Sequence, residues 1–166
     1  MSRTLDLGCG GTIKNPYEVD SLFGVDIVSQ VDPRVVVADL VIEPIPFPDN
    51  YFSYVTAYDF LEHIPRILYN HGVRTQPFIN VMNEIWRVLE PGGRLLAHTP
   101  AYPKKETFSD PTHVNFISED TVKYFCGGDY MGLSKSYGFN GMFELISQDW
   151  EPIWKYHLAW ELKAVK

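Results

Sequence analysis

The apolar and polar positions along this chain fall into distinct patterns, each predicting a different element. Leu5-Asp6-Leu7, Phe23-Gly24-Val25-Asp26-Ile27 and Val35-Val36-Val37-Ala38 are short apolar runs, and the latter two close on or beside an aspartate. Runs of this kind suit strands of a parallel sheet covered on both faces. Pro44, Pro46, Pro48 and Asp49-Asn50 then predict a loop, because proline offers no N–H to a ladder. Tyr51 to Tyr58 predicts a fourth strand. Phe78, Met82, Ile85 and Leu89, supported by Val81 and Trp86, recur at helical spacing, with Asn80, Asn83, Glu84 and Arg87 on the other side. That pattern predicts an amphipathic helix, ended by Pro91-Gly92-Gly93, before a fifth strand at Arg94 to Thr99.

The remainder is less periodic. Ala101 to Asn115 carries Pro103 and Pro111 and predicts an ordered loop. Ser118-Glu119-Asp120-Thr121 predicts a capped helix through Phe125, since serine and early acids satisfy free N–H groups. The glycine-rich stretch from Gly127 to Gly141 reads as loop. Trp154, Tyr156, Leu158, Trp160 and Leu162 alternate with Lys155, His157, Ala159, Glu161 and Lys163. A period of two indicates a half-covered strand, antiparallel to one at Met142–Ser147. The order is therefore parallel α/β followed by an antiparallel pair, without internal repeats.

Length and charge narrow the function. At 166 residues the expectation is one domain over 1–166, with 45% hydrophobic and 21% charged residues arguing against disorder. Lys plus Arg is 14 against 21 for Asp plus Glu, a net charge of −7. Nucleic-acid binding depends on neutralising phosphates, so no nucleic-acid partner is expected. Two cysteines, Cys9 and Cys126, cannot build a framework of several disulfides. No run approaches the roughly 20 apolar residues that span a bilayer. The expectation is a cytoplasmic protein without membrane association.

The first strand runs straight into Gly8-Cys9-Gly10, a turn that lets backbone approach a ligand closely. Asp26 ends the second strand 20 residues after Asp6, the spacing at which an acid can hold both ribose hydroxyls. A dinucleotide site would want a third glycine where Ile13 stands, and Asn15-Pro16 interrupts any long helix there. A nicotinamide oxidoreductase is thereby disfavoured, and a ligand lacking a pyrophosphate fits better.

These residues resemble the class I S-adenosylmethionine-dependent methyltransferases. Leu5-Asp6-Leu7-Gly8-Cys9-Gly10 is similar to the first motif of that family, Gly24-Val25-Asp26-Ile27 to its ribose motif, and Ala38-Asp39-Leu40 to the motif beside the adenine. Pro46-Phe47-Pro48-Asp49-Asn50-Tyr51-Phe52, Leu61-Glu62-His63-Ile64 and Arg87-Val88-Leu89-Glu90-Pro91-Gly92-Gly93 resemble the later segments, in the right order. The resemblance implies a Rossmann-like three-layer sandwich: a seven-stranded, mostly parallel sheet with a C-terminal antiparallel hairpin. It implies S-adenosylmethionine as cofactor, with Asp6, Gly8, Cys9 and Gly10 shaping the methionine end of its pocket. Asp26 would hold the ribose and Ile27 lie against the adenine. Asp39 would bond the adenine amino group beside Leu40, while Tyr58 and Asp59 lie near the sulfonium. The departure from the family is Gly11–Leu22, where Thr12-Ile13-Lys14-Asn15-Pro16 reads as loop instead of a full first helix.

Methyl transfer to an oxygen or nitrogen needs alignment and often a base. His113, in Ser109-Asp110-Pro111-Thr112-His113-Val114, is the first catalytic candidate, since similar segments of the family lie near the acceptor pocket; a loop tether is its other reading. His63 is the second; His98 reads as a buried, hydrogen-bonded residue, and His71 and His157 as surface residues. The Asn/Asp-Pro-Pro-Tyr/Phe segment of base-amino methylation is missing, since that position reads Tyr58-Asp59-Phe60-Leu61. Along the chain no His/Cys/Asp set has metal-ligand spacing, so no metal is expected. The expected reaction is methylation of an oxygen, secondarily a nitrogen, of a small molecule or saccharide. The alternative is a non-catalytic cofactor-binding or scaffold subunit. Because Asp6 already belongs to the first motif, no N-terminal cap is expected. The site would then be closed by 101–115, by 127–141, or by a partner subunit, homo-oligomeric or otherwise.

Overall fold

The computed structural model describes residues 1–153 and 155–166. Its first strands arise where the apolar runs predict them: β1 at Arg3–Leu7, β2 at Ser21–Asp26, β3 at Val35–Val37 and β4 at Phe52–Tyr58. The amphipathic stretch forms α1, Pro77–Val88, with proline at its first turn, where a missing N–H is harmless. Phe78, Val81, Met82, Ile85 and Val88 are its buried stripe. The strand expected at Arg94 falls inside the longer β7, Leu89–Pro100, so the helix stops at Val88, ahead of the proline. A small hairpin, β5 at Leu68–Asn70 and β6 at Val73–Thr75, stands apart from the main sheet.

The main sheet has seven strands in the order β3-β2-β1-β4-β7-β9-β8, where β8 is Phe143–Trp150 and β9 is His157–Ala164. The first five pair in parallel, and β9 runs antiparallel to both β7 and β8. The fold expectation, a mostly parallel sheet closed by an antiparallel hairpin, is met. Side chains on a strand alternate between faces. Leu5, Leu7, Val55, Ala57, Leu95, Ala97, Trp160 and Leu162, all fully buried, form with the α1 stripe one hydrophobic core.

The opposite face carries Asp6, Tyr54, Thr56, Tyr58, Arg94 and His98, and the layer over it is reduced to the loop expected after Gly10. Tyr17 from that loop stacks on Tyr54 with ring centres 3.9 Å apart, and its hydroxyl donates to Glu161 at 3.0 Å. Arg94 pairs with the same Glu161 carboxylate. Polar and aromatic contacts thus do here what a helix would do with apolar ones.

Three local expectations differ from the structure. The stretch 127–141 holds a short helix, α2, at Met131–Ser136. Gly132 lies within the helix without breaking it, and Gly138 follows its end. The Phe139 N–H donates to Ser134 O, the Gly138 N–H donates to Lys135 O, and Gly138 takes φ 98°, the left-handed cap that glycine favours. The helix expected from Ser118 to Phe125 is one 3₁₀ turn at Thr121–Tyr124, with the Ser118 hydroxyl beside Thr121 Oγ1 and not on an N–H. The last strand starts at His157, and Trp154, where it was expected to begin, lies outside the described residues. No helix of the described residues is long and apolar enough to cross a membrane.

Ile85→Ala should lower unfolding stability by about 2–5 kcal/mol, because it empties a fully buried core position of α1. Ile146→Ala, at a partly exposed position of β8, should stay within about 0.5 kcal/mol. Urea midpoints of the two variants against the wild type measure the difference.

Candidate active site

Open parallel sheets bind ligands beyond the carboxyl ends of their strands, and both groups of candidate residues collect there. At the end of β1, Gly8 and Gly10 have φ of 64° and 55°, the left-handed region. They serve different purposes. A Cβ on Gly8 would lie 2.7 Å from the Phe60 ring, so Gly8 lets the turn after β4 close against β1. A Cβ on Gly10 would meet nothing within 4 Å, so Gly10 borders open space.

Asp26 accepts the Gly10 and Val28 N–H groups, each at 2.8 Å, one on each carboxylate oxygen. It therefore shapes the loop first, and each oxygen keeps a second lone pair for a hydroxyl. Beside it Ile27 is 65% exposed, an apolar surface at the strand edge. Asp39 accepts the Val41 N–H at 3.0 Å through one oxygen, and Leu40 is buried in the core. Two carboxylates flanking an exposed aliphatic surface, next to an open glycine turn, suit the hydroxyls and ring of a nucleoside.

Other expected residues work inward. Asp6 is buried, with its oxygens taken by the Thr56 hydroxyl at 2.7 Å and the Lys14 N–H at 2.8 Å. Burial raises its pKa against those hydrogen bonds, and its role is to pin the loop down. The Cys9 thiol is buried and pushed up to about 11 by that burial, so it stays neutral and packs. Tyr58 rests its ring on His98 at 4.5 Å, with Lys14 Nζ 5.3 Å from its centre. Asp59 bonds His157 Nε2 at 2.6 Å. Burial works to raise the Asp59 pKa, but the hydrogen bond and charge of His157, with Lys14 and His63 adding, take it below its ordinary value.

The acceptor-side candidates meet. A 3₁₀ turn at Leu61–His63 follows β4, and the loop after β7 returns against it, bringing the His63 and His113 rings to 5.0 Å. His113 Nδ1 lies 3.1 Å from Thr107 O, and a carbonyl only accepts, so Nδ1 carries the proton. Around His63 Nδ1 are Thr112 O at 3.3 Å and Thr112 Oγ1 at 3.1 Å. The Thr112 hydroxyl donates to Asp110 at 2.6 Å, so His63 Nδ1 is again the donor. With Nδ1 donating in each ring, Nε2 is the nitrogen outside these bonds.

Glu62 was not singled out from the sequence, yet its carboxylate stands with these rings. It is fully buried, accepts the Thr99 hydroxyl on Oε2 at 2.9 Å, and has no partner for Oε1 among the described residues. Burial pushes its carboxyl up to about 7, outweighing the hydrogen bonds from its own N–H and Thr99. One ligand atom from each of Glu62, His63 and His113 lies within 4.8 Å of the other two. In sequence Glu62 is an acid between Leu61 and His63, and nothing there shows that it is buried. His157, expected on the surface, is buried through its bond to Asp59, while His98 is half-buried against Tyr58.

Comparison with known proteins bears on this arrangement. A family model described as a methyltransferase domain matches residues 5–97, more than half of the chain. A search of curated proteins finds no match. Among solved structures, a chain of the complex between the Haloferax volcanii Trm112 methyltransferase activator and its methyltransferase is 15% identical, with TM-score 0.63, over 99% of this chain and 83% of that one. The [4+2]-cyclase SpnF is 15% identical with TM-score 0.60, over 99% and 74%. An S-adenosylmethionine-dependent methyltransferase from Archaeoglobus fulgidus is 16% identical with TM-score 0.58, over 98% and 86%. At such identities the structures share the fold, and a cyclase among them shows that the fold alone does not fix the reaction. With the domain match over the same strands, glycine turn and acids, the chain belongs to the class I S-adenosylmethionine-dependent methyltransferase family, with S-adenosylmethionine as its cofactor.

Proposed function

We propose that this protein transfers a methyl group to an oxygen, or secondarily a nitrogen, of a small molecule or saccharide in the cytoplasm. Bound at the loop after β1, S-adenosylmethionine supplies an electrophilic methyl group. Gly8, Gly10, Asp26, Ile27 and Asp39 hold it on this reading, and Asp6 and Cys9 keep the loop in shape. The observation that carries the proposal is the pair of imidazoles, each with Nε2 outside its Nδ1 hydrogen bond, at the same sheet edge as that loop. Such a pair engages an acceptor hydroxyl and handles its proton, with His113 foremost and His63 beside it.

Exposed apolar residues, among them Tyr102, Phe108, Val114 and Phe116, lie in and just beyond the 101–115 loop. We assign the cover of the acceptor to that loop, with the 127–141 segment or a partner subunit completing it. The activator complex among the structural neighbours supports a partner of this kind. The rival reading, a non-catalytic cofactor-binding or scaffold subunit, differs in giving binding without turnover.

Two outcomes are expected. Asp26→Ala should weaken S-adenosylhomocysteine binding at least about tenfold, or about 1.4 kcal/mol, since it removes both a hydroxyl acceptor and the clamp on Gly10. Calorimetric titration of the variant and the wild type measures it. His113→Ala should lower turnover by about 10²–10⁴-fold, the range of general acid–base catalysis, while the cofactor dissociation constant stays put. Transfer of a labelled methyl group to a panel of hydroxylated acceptors provides the readout. Unchanged turnover would remove His113 from the mechanism, and wild-type binding without transfer to any acceptor would favour the scaffold reading.

A further inference from the structure

Glu62 raises a question that proton transfer by His113 leaves open. Its Oε1 is buried and has no donor among the described residues, and the imidazoles of His63 and His113 stand beside it. A buried carboxylate oxygen left without a partner is costly, and the two imidazoles beside it are ligand-type groups. A cation would engage all three at once.

We propose that Glu62, His63 and His113 bind one divalent first-row cation, whose open positions take the acceptor's oxygen atoms. Two imidazoles and one carboxylate form a three-ligand set that leaves part of the coordination sphere open. The surroundings are those of ligands. Metal-binding histidines donate their other N–H to a carbonyl, carboxylate or water, and ligating carboxylates are themselves hydrogen-bonded. Here His113 donates to Thr107 O, and His63 donates to Thr112, whose hydroxyl leans on Asp110. Glu62 Oε2 is held by Thr99, which leaves Oε1 for the ion.

The ligand atoms lie within 4.8 Å of one another, wider than the roughly 3.0–3.4 Å implied by metal–ligand bonds of about 2.1 Å. Binding therefore draws the side chains together. Both rings are partly exposed, whereas Glu62 is fully buried. The separation in sequence, 62–63 against 113, is why no spacing rule along the chain exposes the set.

This inference rests on the acceptor-side reading of the cluster and says how the cluster acts. A bound cation would polarise the acceptor hydroxyl and lower its pKa, so that the proton passes to solvent water and His113 acts as a ligand in place of a base.

The test is a titration of the full chain, stripped by chelator and free of cofactor, with Mn²⁺ followed by electron paramagnetic resonance and with Zn²⁺ followed by calorimetry. One saturable site per chain for at least one of the two ions is expected. Glu62→Gln, His63→Ala and His113→Ala should each weaken it at least about tenfold, and Thr99→Val, through Glu62, also by about tenfold. His71→Ala, on the exposed β5–β6 turn, should leave it unchanged. No saturable binding of either ion by the wild type overturns the proposal, as does undiminished binding in the Glu62→Gln, His113→Ala double variant. Methyl transfer that persists in EDTA with no ion bound sinks the metal site and keeps the methylation reading. Ion binding without transfer to any acceptor does the reverse.

Discussion

The fastening of the Leu61–His63 turn to the segment 112–116 is the constraint on which the Glu62–His63–His113 cluster depends. Glu62 O accepts the N–H groups of both Val114 and Asn115 at 2.9 Å. The Asn115 side chain donates to Leu61 O at 3.0 Å, and Arg66 holds Asn115 Oδ1 and Phe116 O. Each such bond is worth only about 0.5–1.5 kcal/mol net, but losing one partner strands a buried group at about 1–3 kcal/mol. Asn115 is fully buried, so the segment cannot lift off piecemeal. It is this stitch, more than any contact between the rings, that brings together two histidines from the segments after the adjacent strands β4 and β7.

The cofactor side is organised around a second buried carboxylate. Where the family has a full first helix, this chain has a loop too short to bury an apolar layer. Asp6 replaces that layer with directed bonds, to Thr56 beneath it and to the Lys14 N–H above it. The desolvation that raises the Asp6 pKa is the cost of this solution, and the stacked Tyr17–Tyr54 pair with the Glu161–Arg94 bridge extends it along the sheet. Hydrogen bonds specify one geometry where apolar packing tolerates several. That suits a loop that must hold Gly10 and the end of Asp26 in one place beside open space.

What the sequence made legible was whatever physics keeps local. The glycine turn, the acids at strand ends and the stripe of α1 are set by neighbours within a few residues, and they stand where their patterns put them. The seven-stranded, mostly parallel sheet with its antiparallel hairpin followed from the family resemblance. The alternation of Arg94, Leu96 and His98 with Leu95 and Ala97 in β7 also carried the difference between the two faces, although a parallel strand invites an all-apolar reading. The helix α2 was hidden because its glycines were counted as breakers, when Gly138 sits where a helix ends. Glu62 was hidden for another reason. Its chemistry depends on Thr99 and on what it lacks, and a missing partner has no signature in sequence. His157 likewise takes its meaning from Asp59, 98 residues away.

The two halves of the site are not independently placed. Phe60 fills the space that a side chain on Gly8 would need, and the next residues of the same turn are Leu61 and Glu62. One residue before Phe60, Asp59 holds a left-handed φ of 48° and reaches across to His157 on β9. Five consecutive residues, Asp59 to His63, therefore touch the glycine loop, the last strand of the hairpin and the histidine loop after β7. Direct displacement is sensitive to the distance and angle between donor and acceptor, and misplacement by an ångström is costly. One turn that contacts both the glycine loop and the Glu62–His63–His113 cluster ties the two together. The end of β4, more than the glycine motif itself, is where they are joined.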